Sequence, residues 1–119
     1  MEILKEFSFD AAHRLPNVPP SHQCSRIHGH SYQIVLHVRG AVDPHLGWVI
    51  DFADIKAAFK PLEAQLDHRL LNEVPGLENP TSENLARWLW SRLLPQLPGL
   101  SKVVVKETAT SACIYSGED

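Results

Sequence analysis

From Ser31 to Arg39 the chain alternates without a break: Tyr32, Ile34, Leu36 and Val38 fall on one face, and Ser31, Gln33, Val35, His37 and Arg39 on the other. A side-chain period of two is the mark of an extended strand, and one mostly polar face makes it a half-buried one. This segment commits the chain to a sheet, and a sheet needs further strands. Weaker alternation over Ile3 to Phe9 and the β-branched run Val103-Val104-Val105 predict two, with Trp48-Val49-Ile50 as a shorter candidate. An antiparallel sheet is expected.

Between these segments the period changes. Phe52, Ile55, Phe59, Leu62 and Leu66 recur at spacings of three and four behind Asp51, a good N-cap, and predict one amphipathic helix. Pro61 lies inside the pattern and removes a backbone donor, so a kink or restart is expected there. A second helix should begin at Thr81 or Ser82, after Pro80, and run through Leu85, Trp88, Leu89 and Leu93 to Pro95. Pro16, Pro19 and Pro20 make residues 15–23 an irregular loop. No repeat, low-complexity tract or long linker interrupts the chain, and its 119 residues, 44% of them hydrophobic, suit one α+β domain over residues 1–119. A sheet covered by helices on one side leaves open edges and a bare face, which predicts oligomerisation.

A net charge of -3 and a pI near 6.1, with no run of Lys or Arg, argue against nucleic acid or an anionic membrane as partner. A small molecule is the expected ligand. The charged start, Met1-Glu2-Ile3-Leu4-Lys5-Glu6, lacks a secretory apolar core, and no segment has the roughly 20 apolar residues of a membrane span. A cytoplasmic location is expected, where the two cysteines, Cys24 and Cys113, remain thiols.

Seven histidines is a high number, and His28-Gly29-His30 at the start of the clearest strand is the most telling arrangement. With the strand beginning at His28, both imidazoles share the face of Tyr32 and Ile34, and Gly29 leaves the opposite face open to close approach. His13 follows Phe9 by four residues, so an extended first strand presents it on the face of Phe7 and Phe9 as a third ligand. Three imidazoles with one open position suit catalytic zinc, whereas structural sites are closed by four ligands. Cys24, four residues before His28, admits three readings: a thiolate base favoured by a nearby dication, a fourth metal ligand in a non-catalytic module, or a small buried hydrophobe. Parity puts Glu107 on the inward face of Val103 and Val105, where it needs either an arginine or a ligand edge offering two donors. Asp67-His68 closes the first helix pattern, as a simple cap and surface histidine on local grounds.

Taken together, Phe7-x-Phe9-x-Ala11-Ala12-His13, Cys24-x-x-x-His28-Gly29-His30, Asp67-His68, Asn79-Pro80-Thr81-Ser82-Glu83 and Lys106-Glu107-Thr108 resemble the 6-pyruvoyltetrahydropterin synthase family over essentially the whole chain. Within it, the cysteine separated by three residues from His-Gly-His and the short length resemble the bacterial branch that forms 6-carboxy-5,6,7,8-tetrahydropterin for queuosine. The resemblance implies a tunnelling fold (T-fold): a four-stranded antiparallel sheet with two helices packed on one face, three subunits closing a barrel and two trimers stacking into a hexamer. It implies one zinc ion per subunit on His13, His28 and His30, Cys24 as general base, Asp67 and His68 as a proton relay, and Glu107 as pterin anchor. Thr81 and Ser82 match positions that contact the pterin ring, beside their local role as helix caps. The substrate so implied is 7,8-dihydroneopterin triphosphate. Arg14, Arg26, Arg69 and Lys106 are candidates for its triphosphate, and none is assigned.

Overall fold

The computed structural model describes residues 1–118. Four strands form one antiparallel sheet in chain order: β1 (Glu2–His13), β2 (His28–Arg39), β3 (Leu100–Thr108) and β4 (Ser111–Tyr115). Two helices, α1 (Phe52–Leu66) and α2 (Ser82–Leu93), join β2 to β3, and short 3-10 turns occupy Gln23–Ser25 and Leu71–Glu73. The β1–β2 register aligns Phe7 with Ile34, Phe9 with Tyr32, Ala11 with His30 and His13 with His28. Because directly opposed residues share a face, the odd positions of β1 and the even positions of β2 point the same way.

That shared face is the core. Phe9, Ala11, Tyr32, Ile34, Leu36, Val38, Val103 and Val105 are buried there against Ile55, Phe59, Leu62 and Leu66 of α1 and Leu85, Leu89 and Leu93 of α2. Burial of this apolar area, at about 25 cal/mol per Å², is what holds helices to sheet. Both helices start as expected: Asp51 accepts from the Ala53 amide at 2.9 Å and Thr81 Oγ1 from the Asn84 amide at 3.1 Å. The opposite face carries exposed Leu4 and Ile114. It is the bare face that the one-sided packing foretold.

Two local expectations change. α1 continues through Pro61 and does not restart there. Pro61 and Ala57, four residues earlier, both lie on the exposed side, where a carbonyl left without a helical donor is open to solvent while the apolar stripe stays packed. Trp48-Val49-Ile50 is not a strand but a series of bends after Gly47, which has φ +80°, and Val49 and Ile50 pack sideways against the core. The fourth strand is instead Ser111–Tyr115, set by pairing Val103 with Tyr115 and Val105 with Cys113. Among the described residues no helix is long and apolar enough to cross a membrane.

Candidate active site with a three-histidine metal cluster

At the end of the β1–β2 hairpin the core face turns polar. His13 and His28 stand opposite one another, His30 sits one pleat further along, and their ligand atoms all lie within 4.8 Å of each other. His13 is only 1% exposed, which makes its partners decisive. Its Nδ1 lies 2.9 Å from the Pro80 carbonyl, and His28 Nδ1 lies 2.7 Å from the Arg26 carbonyl. A carbonyl can only accept, so each Nδ1 carries the proton and each Nε2 presents a lone pair.

These two Nε2 atoms are 3.0 Å apart. Two acceptors at that distance with no proton between them repel, and a cation on the open side removes the repulsion. Two nitrogens bound tetrahedrally at 2.0–2.1 Å lie about 3.3 Å apart, close to the spacing found. The donor set therefore fits a metal ion. Burial pushes the His13 imidazole below its ordinary pKa, with the Pro80 carbonyl and Glu107 pulling weakly the other way, and this favours the neutral, ligating form. Cys24 is not in the group whose ligand atoms converge.

Glu107 stands beside the cluster, Oε1 at 3.8 Å from His13 Nε2. It also lines a cavity of about 290 Å³ with Ser82, Glu83, Ser111, Ala112 and Cys113. Helix α2 explains the neighbourhood: the Pro80-Thr81-Ser82 segment that starts it gives a carbonyl to His13, a cap to the helix and Ser82 to the cavity. Cys24 is half-buried in the 3-10 turn, and its carbonyl accepts from the Leu15 amide at 2.8 Å, which folds the loop back to the histidine end of the hairpin.

Asp67 and His68 lie elsewhere. The segment after α1 attaches to the outer edge of β1: the His68 amide donates to Asp10 O at 2.6 Å and the Ala12 amide to Arg69 O at 2.9 Å. His68 Nδ1 is 2.9 Å from Asp67 Oδ1, so its Nε2 faces outward on a side chain 78% exposed. The hydrogen bond from His68, then that from the Asp10 amide, holds the Asp67 carboxyl below the usual range. His68 has φ 58°, a left-handed conformation costing a β-carbon residue roughly 1 kcal/mol or more. With Arg69, Gly29, Ser31 and the edge of His30, it lines an open cavity of about 560 Å³.

Two residues near these groups escaped the sequence reading. Tyr32 is buried under the histidines with its hydroxyl 3.2 Å from His13 Nδ1. Burial, then the Glu107 charge, pushes that hydroxyl far above the ordinary tyrosine pKa and keeps it protonated. Its parity with His28 and His30 was the available signal. Asp10 tethers Asp67 and His68 through its backbone and accepts from Ser31 Oγ through its carboxylate, and no spacing in the sequence marks it.

Comparison with known proteins agrees with this arrangement. The family model described as 6-pyruvoyl tetrahydropterin synthase matches residues 2–118. A 6-carboxy-5,6,7,8-tetrahydropterin synthase from Synechocystis sp. is 44% identical over 95% of this chain and 91% of its own. The 6-pyruvoyl tetrahydrobiopterin synthase of Homo sapiens is 35% identical over 98% of this chain and 92% of its own. The structure of Caenorhabditis elegans 6-pyruvoyl tetrahydropterin synthase superposes with a TM-score of 0.91 at 30% identity, covering 99% of this chain and 96% of that one. A family match over nearly every residue, and a fold shared with its solved members, show that the chain belongs to the 6-pyruvoyl tetrahydropterin synthase family.

Proposed function

We propose that this chain is a zinc-dependent lyase that converts 7,8-dihydroneopterin triphosphate and water to 6-carboxy-5,6,7,8-tetrahydropterin, acetaldehyde and triphosphate, in queuosine biosynthesis. The observation that carries the reading is the pair of imidazoles whose Nδ1 protons are committed to carbonyls, so that both Nε2 lone pairs converge beside Glu107. The choice of the carboxy branch over 6-pyruvoyltetrahydropterin formation is supported by 44% identity to the carboxy enzyme against 35% to the human pyruvoyl enzyme.

His13, His28 and His30 hold the metal. Zinc, when bound, supplies Lewis-acid polarisation of the substrate's side-chain hydroxyls. Glu107 accepts two N–H groups from the amidine-like edge of the pterin, a charge-assisted bidentate contact, and Thr81 and Ser82 border the ring. Cys24 removes a side-chain proton. His68 returns protons on the other side, oriented by the Asp67 carboxylate at 2.9 Å. Acid–base work of this kind contributes about 10² to 10⁴-fold.

His68 is exposed, and it reaches solvent from the edge of the sheet rather than from the metal cluster. This fits a site completed between copies, in a homo-oligomer built on trimers that stack to a hexamer, each copy acting as one domain in the cytoplasm. The test is to incubate zinc-loaded protein with 7,8-dihydroneopterin triphosphate and measure acetaldehyde and pterin mass together. Acetaldehyde with carboxytetrahydropterin is expected. Triphosphate without acetaldehyde moves the assignment to the pyruvoyl branch, and unchanged substrate favours a non-catalytic metal module.

A further inference from the structure

One aromatic side chain lies against the buried side of the metal cluster. Tyr32 lies two residues beyond His30 on the core face of β2, 1% exposed, with its ring stacked on Phe9 at 5.1 Å. It meets His13 and His30 edge-on, with centroids 6.0 and 5.7 Å away at angles of 88° and 80°. Its hydroxyl reaches His13 Nδ1 at 3.2 Å. A phenylalanine would keep the ring and its stacking on Phe9 in this place. Only tyrosine brings an oxygen, and burying one without a partner costs about 1–3 kcal/mol.

The geometry around His13 gives that oxygen a purpose. The Nδ1–H of His13 is shared between two acceptors that approach from different directions, the Pro80 carbonyl at 2.9 Å and the Tyr32 hydroxyl oxygen at 3.2 Å. One contact leaves an imidazole free to pivot about the line of its hydrogen bond. Two contacts from different elements, the start of α2 and strand β2, fix the ring plane. At His28 the described partner of Nδ1 is the Arg26 carbonyl, supplied from two residues away in its own chain segment. The most buried ligand is thus the one held from both sides.

We propose that Tyr32 is a positioning residue for the metal site, fixing the plane of His13 so that Nε2 stays aimed at the point shared with His28 and His30. The inference rests on the metal-binding part of the function proposed above, and it needs no assumption about the pterin or the reaction. Groups that orient a ligating histidine from behind typically change metal affinity by about 10 to 100-fold when removed.

The test is equilibrium zinc affinity, measured by competition with a chromophoric chelator, for the wild-type chain, Tyr32→Phe and Phe9→Leu. Tyr32→Phe keeps the ring and its stacking and removes the hydroxyl alone, so a loss of about 10 to 100-fold is expected. Phe9→Leu loosens the packing around Tyr32 but leaves the hydroxyl, and is expected to lower the melting temperature with little change in affinity. A smaller loss in Tyr32→Phe, or an equal loss in Phe9→Leu, overturns the proposal by reducing Tyr32 to core packing. Failure of the wild-type chain to bind zinc overturns the metal reading itself, and is distinguished by appearing without any substitution.

Discussion

Removing the metal should cost this fold measurable stability, because two lone pairs held 3.0 Å apart beside a buried imidazole are then left facing each other. Metal that binds only the folded chain stabilises it by RT ln(1 + [M]/Kd), about 2.7 kcal/mol at a hundred times Kd. For 119 residues the unfolding entropy near the melting temperature is about 250 cal/mol/K. The two together predict a rise of about 11 °C on adding zinc at that level, abolished by chelator. His30 is the ligand to remove, being half-buried where His13 is the more deeply buried. If His30→Ala weakens binding a hundredfold, the same zinc concentration sits at the new Kd and stabilises by about 0.4 kcal/mol, a shift below roughly 2 °C. Differential scanning calorimetry at fixed free zinc measures both. A wild-type melting temperature indifferent to zinc, or an undiminished shift in His30→Ala, would refute the reasoning.

Four further outcomes follow from the same geometry. Cys24→Ala is expected to keep the full zinc-dependent melting shift while turnover of dihydroneopterin triphosphate falls about 10² to 10⁴-fold, whereas loss of zinc would make Cys24 a ligand. His68→Asn should lower kcat at least about 10²-fold with melting unchanged within about 2 °C, because asparagine tolerates the φ of 58° that His68 adopts, and His68→Val should also destabilise. Thr81→Ala removes the cap to the Asn84 amide and should cost about 1 kcal/mol, read in urea unfolding as a lower midpoint at constant slope. The Asp67 carboxyl is depressed in the folded chain, so its contribution is present above about pH 4 and lost as pH falls through the lowered value. Asp67→Asn should therefore flatten the acid side of the melting-temperature profile, and an unchanged slope would count against the His68 and Asp10 contacts.

Where one residue's environment is set by its near neighbours in sequence, the chain was readable. The period-two run over Ser31–Arg39 fixes which face of β2 is buried, and the same parity carries back to His30 and His28 because no residue intervenes to shift it. Asp51 and Thr81 cap their helices through amides two and three residues away. The short Ser111–Tyr115 strand has too few residues to show a period, and it exists because Val103 and Val105 offer it a register. Trp48-Val49-Ile50 has strand-like composition, yet it joins none of the four strands, and its Trp48 carbonyl accepts instead from the nearby Asp43 amide at 2.8 Å.

The site divides along the same line. Sequence alone determined that three imidazoles share a face and that Glu107 points inward, since both follow from strand parity. Only the tertiary structure decided that the Pro80 carbonyl, 67 residues from His13, would fix its tautomer. It likewise decided that Asp67 and His68 would attach to β1 through the Asp10 backbone, 57 residues from Asp67. Backbone groups are the same in every residue, so sequence carries no mark of which amide or carbonyl a distant side chain will meet. That information appears only when helix and strand have packed.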